Sequence, residues 1–129
     1  MTIKNKHMKE LTKAEEQVMQ ILWKIEQGFV KDIVEYFPEP KPAYNTVSTI
    51  VRILEKKNFV SYRAFGNTHQ YFPVVSKDDY KKAFFNNFLK NYFSNSFTQM
   101  VSFFTNNDDV DARELEELKN IIDKEIKKQ

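Results

Sequence analysis

The chain of 129 residues contains no cysteine. Disulfides, thiolate metal sites and a cysteine nucleophile are thereby excluded. Glycine is scarce, with two residues, and none of the four prolines lies beyond Pro73. No apolar run approaches the roughly 20 residues that span a bilayer, and Met1 to Lys9 is polar and basic rather than the apolar opening of a signal peptide. The expectation is a cytoplasmic protein without direct membrane insertion. A strong charge of one sign is also lacking, because the net charge is +2. Residues 1–75 hold 11 Lys and Arg against 8 Asp and Glu, and residues 76–129 hold 9 against 10. A polyanion, if one binds, meets the first part. What the chain has in excess is aromatic surface, 15% of residues with 12 Phe. The apolar and charged fractions, 41% and 29%, are those of a soluble globular protein. The length suits one compact domain or two small lobes.

Residues 1–10 read as a polar arm. From Leu11 to Gly28 the pattern is helical. Thr12 and Glu15 fit a capping box, Ala14, Val18, Ile21, Leu22 and Ile25 form an apolar stripe, and Gly28 stands where a left-handed stop is wanted. Val30, Ile33, Val34 and Phe37 predict a short second helix, ended by Pro38, Pro40 and Pro42. Val47, Ile50, Val51 and Leu54 then fall at i, i+3, i+4 and i+7 and predict a third helix, with Asn58 as its left-handed cap. Phe59 to Phe65 and Thr68 to Val74 read as a β-hairpin around Gly66-Asn67, with Pro73 at a sheet edge. Beyond it the aromatic run from Lys77 to Phe104, Tyr80 included, predicts two helices broken near Ser94-Asn95-Ser96. A polar loop over 105–110 follows. A last helix starts at the capping pair Asp111 and Glu114 and carries Leu115, Leu118, Ile122 and Ile126 on one side.

The outer face of the third helix raises a chemical question. Tyr44, Asn45, Thr46, Ser48, Thr49, Arg52 and Lys56 stand where Glu, Gln or Ala would form helix better. Three helices and a hairpin in about 65 residues make the winged helix-turn-helix pattern, whose third helix fits the major groove of double-stranded DNA. Short hydroxyl and amide side chains let the backbone approach base edges, and Arg52 can offer two parallel donors to guanine or grip a phosphate. Lys56 and Lys57 would stand beside phosphates, although basic helix ends also complement the dipole. Arg63 to His69, with Asn67 and Thr68 at its tip, would be the wing.

The segments TKAEEQVMQILW, AYNTVSTIVRILEKKNFV, GNTHQYFPV and ELEELKNIIDK resemble the penicillinase and methicillin-resistance repressors (BlaI/MecI type), over about residues 10–127. The resemblance implies a mainly α-helical chain with a winged helix-turn-helix in residues 1–75 and a helical dimerisation lobe in residues 76–129. It implies a homodimeric transcriptional repressor on dyad-symmetric operator DNA, released through a membrane-bound sensor-protease system, with a link to antibiotic resistance. The motif's recognition positions fall on Tyr44, Asn45, Thr46, Ser48, Thr49 and Arg52, and its wing on Arg63 to His69. The Asn-Phe bond at which well-known members are cut falls here on Phe103-Phe104, a departure from the pattern. The Cys-rich metal site of the copper-sensing branch is excluded by the lack of cysteine.

The aromatic tail fits this implied dimer. Some 50 residues cannot bury Phe84, Phe85, Phe88, Tyr92, Phe93, Phe97, Met100, Val101 and Phe104, with Leu115, Leu118 and Ile122, within one copy. A second copy can cover them. Other readings stay open beside these: a winged helix that binds protein rather than DNA, a solvated third helix, or a Phe ladder that encloses a cofactor or lipid. Trp23 reads as a core or rim aromatic. Catalysis is not expected, since no nucleophile-base-orienter set or glycine-rich phosphate loop is visible. The acidic pairs Glu15-Glu16 and Asp78-Asp79 sit in first helical turns, where acids favour the dipole. No metal or cofactor is expected, with His69 having only His7 as a companion.

Overall fold

The computed structural model describes residues 8–106 and 111–127. The opening arm through His7, positions 107–110 of the expected polar loop and the side chain of Ile126 lie outside the described residues. The elements in order are α1 (Lys13–Ile25), α2 (Val30–Tyr36), α3 (Tyr44–Lys56), β1 (Val60–Phe65), β2 (Thr68–Pro73), α4 (Lys77–Phe93), α5 (Phe97–Asn106) and α6 (Ala112–Lys127). They form two compact units, Met1–Phe84 and Phe85–Gln129. The first turns of α4 therefore go with the winged helix-turn-helix.

In the first unit α1 opens on the anticipated capping box. The Thr12 amide donates to Glu15 Oε1 at 3.0 Å, and the Glu15 amide donates to Thr12 Oγ1 at 3.2 Å. The buried stripe is turned from the expected one. It runs through Glu15, Val18, Met19 and Leu22, while Ala14 is exposed and Ile21 and Ile25 lie at the rim. A carboxylate is tolerated on that stripe because Lys57, at the end of α3, donates to Glu15 Oε1 at 2.6 Å. Burial pushes the Glu15 carboxyl up, but the hydrogen bonds from Lys57 and Thr12 and the Lys57 charge outweigh it, and its pKa falls below the ordinary 4.5. Such a group stabilises the fold above its unfolded pKa, and the contribution is lost as pH falls through the folded value. Glu15→Gln should therefore lower unfolding free energy by about 2 kcal/mol at pH 7. Urea melts of the two proteins should converge as pH falls through the Glu15 folded pKa, which lies below 4.5.

Gly28 does not end α1 by a left-handed turn. That conformation falls on Glu26, with φ 74°, whose amide closes on the Leu22 carbonyl at 2.7 Å. Gly28 instead pairs with Tyr71 of β2, through hydrogen bonds of 2.9 and 2.8 Å. A Cβ there would come within 2.9 Å of Ile25 Cδ1 and 3.3 Å of Asp32 Cβ. Close approach rather than handedness favours glycine at position 28, since Ile25 Cδ1 can swing aside but Asp32 Cβ would have to give by a few tenths of an ångström. Because Glu26 carries the unfavourable φ, Glu26→Gly should raise the melting free energy by up to about 1 kcal/mol.

α2 begins with the Phe29 amide donating to Asp32 Oδ2 at 2.9 Å. α3 buries Val47, Val51 and Leu54 and ends in a full Schellman motif, with Asn58 at φ 66° as expected. The Phe59 amide reaches the Leu54 carbonyl at 2.9 Å and the Asn58 amide reaches the Glu55 carbonyl at 3.0 Å. The hairpin turns on Gly66-Asn67, Gly66 having φ 62°, and pairs Phe65 with Thr68 and Val60 with Pro73. Val18, Met19, Leu22, Ile33, Val47, Val51, Leu54 and Phe59 are wholly buried between these elements.

Tyr80 is part of this core and not of the aromatic tail with which its spacing grouped it. Its ring lies 5.7 Å from Trp23 and 5.8 Å from Phe59, and its hydroxyl donates to Glu16 Oε2 at 3.0 Å. Burial and the Glu16 carboxylate push the phenol up to about 12.

In the second unit the helix break occurs where expected. Ser94 and Asn95 take φ of 50° and 66°, and Ser96 Oγ accepts from the Gln99 amide at 3.0 Å to start α5. α5 continues through Thr105 and Asn106, two positions that the sequence assigned to loop. Asp111 and Glu114 cap α6 reciprocally, at 2.9 and 3.3 Å. Phe93 lies between Phe88 and Phe103, with ring centroids 5.7 and 5.8 Å away. Yet no described residue of this unit is buried, and Tyr92 and Ile121 are 73% and 58% exposed. Among the described residues no helix is long and apolar enough to cross a membrane.

Candidate nucleic-acid interface

The amphipathic character of α3 puts its polar face outward. Tyr44, Asn45, Thr46, Thr49, Arg52 and Lys56 are exposed, and Ser48 is half-buried. Arg52 donates to Ser48 Oγ one turn back at 3.2 Å, which steers the guanidinium along the helix. Thr49 Oγ1 donates to the Asn45 carbonyl at 3.0 Å, so its lone pairs and methyl group are what it presents outward.

The hairpin folds back beside this face. Together they make a groove of about 420 Å³, into which Tyr44, Ser48 and Arg52 project from α3 and Asn67, Thr68 and His69 from the hairpin. Six of the residues singled out from the sequence are thus brought to one cleft. Asn45, Thr46, Thr49 and Lys56 extend the surface along α3 without lining the cleft. Arg63 does not reach it. Strand alternation puts Arg63 across from Gln70, on the hairpin face opposite His69. Its guanidinium lies 5.1 Å over Phe72 and donates to Gln27 Oε1 at 3.4 Å. Lys57, expected beside phosphates, is bound to Glu15 and to the Glu10 carbonyl instead.

Sequence reasoning missed three contributors. Lys31 brings a second cation to the cleft from α2, and only the tertiary fold places it there. Ile53, off the apolar stripe and given no role by the sequence pattern, is exposed on α3 beside Arg52. Tyr71 closes the base of the cleft, where burial and then Glu55 raise its phenol pKa despite the opposing effect of Arg52. Its phenol is therefore neutral at ordinary pH. The wing is stiffened by a stack of Tyr62 on His69, 3.9 Å apart and within 6° of parallel. Among the described residues no group of three His, Asp or Glu side chains is placed to hold a metal ion.

Three helices, a returning hairpin and a polar third-helix face define a winged helix-turn-helix protein with an appended helical unit. A profile of the penicillinase repressor family matches residues 11–124, and the chain belongs to that family. It is similar to the methicillin resistance regulatory protein MecI of Staphylococcus aureus, 29% identical over 89% of this chain and 94% of that protein. The penicillinase repressor of Bacillus licheniformis is 24% identical over 92% and 93% of the two chains. Among solved structures, the DNA binding domain of the repressor BlaI superposes with a TM-score of 0.50 at 22% identity. That match covers 57% of this chain and 90% of the domain.

Proposed function

We propose that the protein is a sequence-specific, DNA-binding transcriptional repressor that works as a homodimer on dyad-symmetric operators. The observation that carries the reading is the cleft in which Arg52, Ser48 and Tyr44 of α3 face Asn67, Thr68 and His69 of the wing. α3 enters the major groove, where Arg52 reads a guanine edge and the Thr49 methyl and Ile53 meet apolar base edges. The wing and Lys31 hold the flanking sugar-phosphate backbone, which fixes register.

Homodimerisation rests on the second unit, which has helices and aromatic clusters but no buried side chain of its own among those described. A second copy laid against Phe85, Tyr92, Phe97, Leu115 and Ile122 supplies the missing core. Two linked α3 helices then read half-sites one helical turn of DNA apart, or a multiple of it. Release follows when this unit is loosened or cut, and a membrane-bound sensor-protease is the partner that the family resemblance suggests. The bond aligned with the family's cut site, Phe103-Phe104, lies in the last turn of α5 and lacks the family's Asn, so whether release cuts this bond is the point to test. The names of the relatives make β-lactam resistance genes the first targets to try.

The test is selection of bound sequences from random duplex DNA, followed by titration of the winner at several salt concentrations. The expected result is an inverted repeat of fixed spacing, with affinity falling steeply as salt rises. Failure to enrich any sequence, or binding indifferent to salt, overturns the reading.

A further inference from the structure

A second built surface lies on the first unit and shares no lining residue with the cleft of α3 and the wing. Two grooves, of about 490 and 270 Å³, adjoin along α1 through Gln20, Trp23 and Lys77, which line both. Their apolar walls are aromatic. Tyr36 and Phe84 are each 53% exposed, and the Trp23 ring lies between their grooves. The Trp23 indole N–H donates to the Val75 carbonyl at 2.8 Å, so its polar atom is satisfied inside the fold and only ring surface is left for a visitor. The rim is cationic. Lys24 and Lys77 line one groove, and Lys77 and Lys81 the other. None of the three is in a salt bridge among the described residues, and Lys24 leans over the Tyr36 ring at 5.8 Å. The one acid in the lining, Glu16, already accepts the Tyr80 hydroxyl.

We propose that this surface docks an acidic amphipathic segment of a partner protein, apolar side chains on Trp23, Tyr36 and Phe84 and carboxylates on Lys24, Lys77 and Lys81. An aromatic floor bounded by cations complements a helix with apolar residues at i, i+3, i+4 and i+7 and carboxylates beside them. A nucleic acid would satisfy the lysines but leave three aromatic side chains without an apolar counterpart. The surface is independent of the DNA cleft, so a partner can be held while the operator is bound.

Trp23 is the chain's only tryptophan, so its emission reports this surface directly. The full-length protein is titrated with a terminally blocked helical peptide of about 16 residues, leucine at the apolar positions and glutamate elsewhere. A saturable change in Trp23 emission is expected. It should weaken on the order of tenfold in the surface variant Lys77→Glu/Lys81→Glu and at high salt. An unchanged Trp23 signal overturns the proposal. So does an equal response to a peptide with lysine in place of glutamate, which marks the floor as merely adhesive. Loss of random-duplex DNA binding in the double variant, with no peptide response in either protein, reassigns the surface to nucleic acid.

Discussion

Replacing Tyr92 and Ile121 together by glutamate should leave the protein monomeric and lower its affinity for a two-half-site operator by roughly 10²–10⁴-fold. These are the two most exposed large apolar side chains described in the second unit, 73% and 58% accessible. In the proposed dimer the exposed apolar surface of this unit is covered, and a carboxylate forced into such an apolar contact is strongly opposed. Both residues belong to the second unit, so the winged helix-turn-helix should keep its fold and its weak affinity for one half-site. The loss is entropic in origin. Once one α3 is seated, the linked second α3 searches a small volume at high effective concentration, and a free second head does not. Sedimentation velocity reads the mass, and titration of whole and half operators separates avidity from intrinsic contact. A variant that remains dimeric, or equal losses on whole and half sites, would count against the second unit as the dimer glue.

Arg52→Ala is the other large effect. It should weaken binding to each half-site by about 1–3 kcal/mol and relax preference at one base pair. The guanidinium projects into the cleft beside Ser48, which accepts one of its N–H groups at 3.2 Å and limits its wandering. The side chain therefore arrives partly ordered, and less rotamer entropy is lost on binding. Arg52→Lys keeps the charge but loses the planar pair of donors. If Arg52 reads a base, the lysine variant stays close to alanine in discrimination while recovering part of the salt dependence. A loss spread evenly over all sequences, restored by lysine, would make Arg52 a phosphate contact instead. Comparing binding across single-base operator variants decides between these outcomes.

Much of the local architecture was legible in advance because the signals are local. The 47-50-51-54 spacing, the Thr12–Glu15 box, the Gly66-Asn67 turn and the Asn58 cap each depend on residues a few positions apart. So does the interruption at Ser94-Asn95, where two residues of positive φ close α4. The polar face of α3 was legible for the same reason, since a helix's outer side follows from where its apolar stripe lies.

What the sequence by itself determined is the set of elements, their order, and a third helix with hydroxyl, amide and guanidinium groups turned away from its core. Only the tertiary structure decided that Gly28 pairs with Tyr71, that Tyr80 fills the first unit's core, and that Lys57 is held by Glu15. It also decided that Lys31 joins Arg52 at the cleft while Arg63 rests on Phe72. The reason is distance along the chain. Periodicity and caps are set by neighbours within one or two turns, whereas these placements join residues roughly 10 to 60 positions apart, whose meeting depends on how the elements pack.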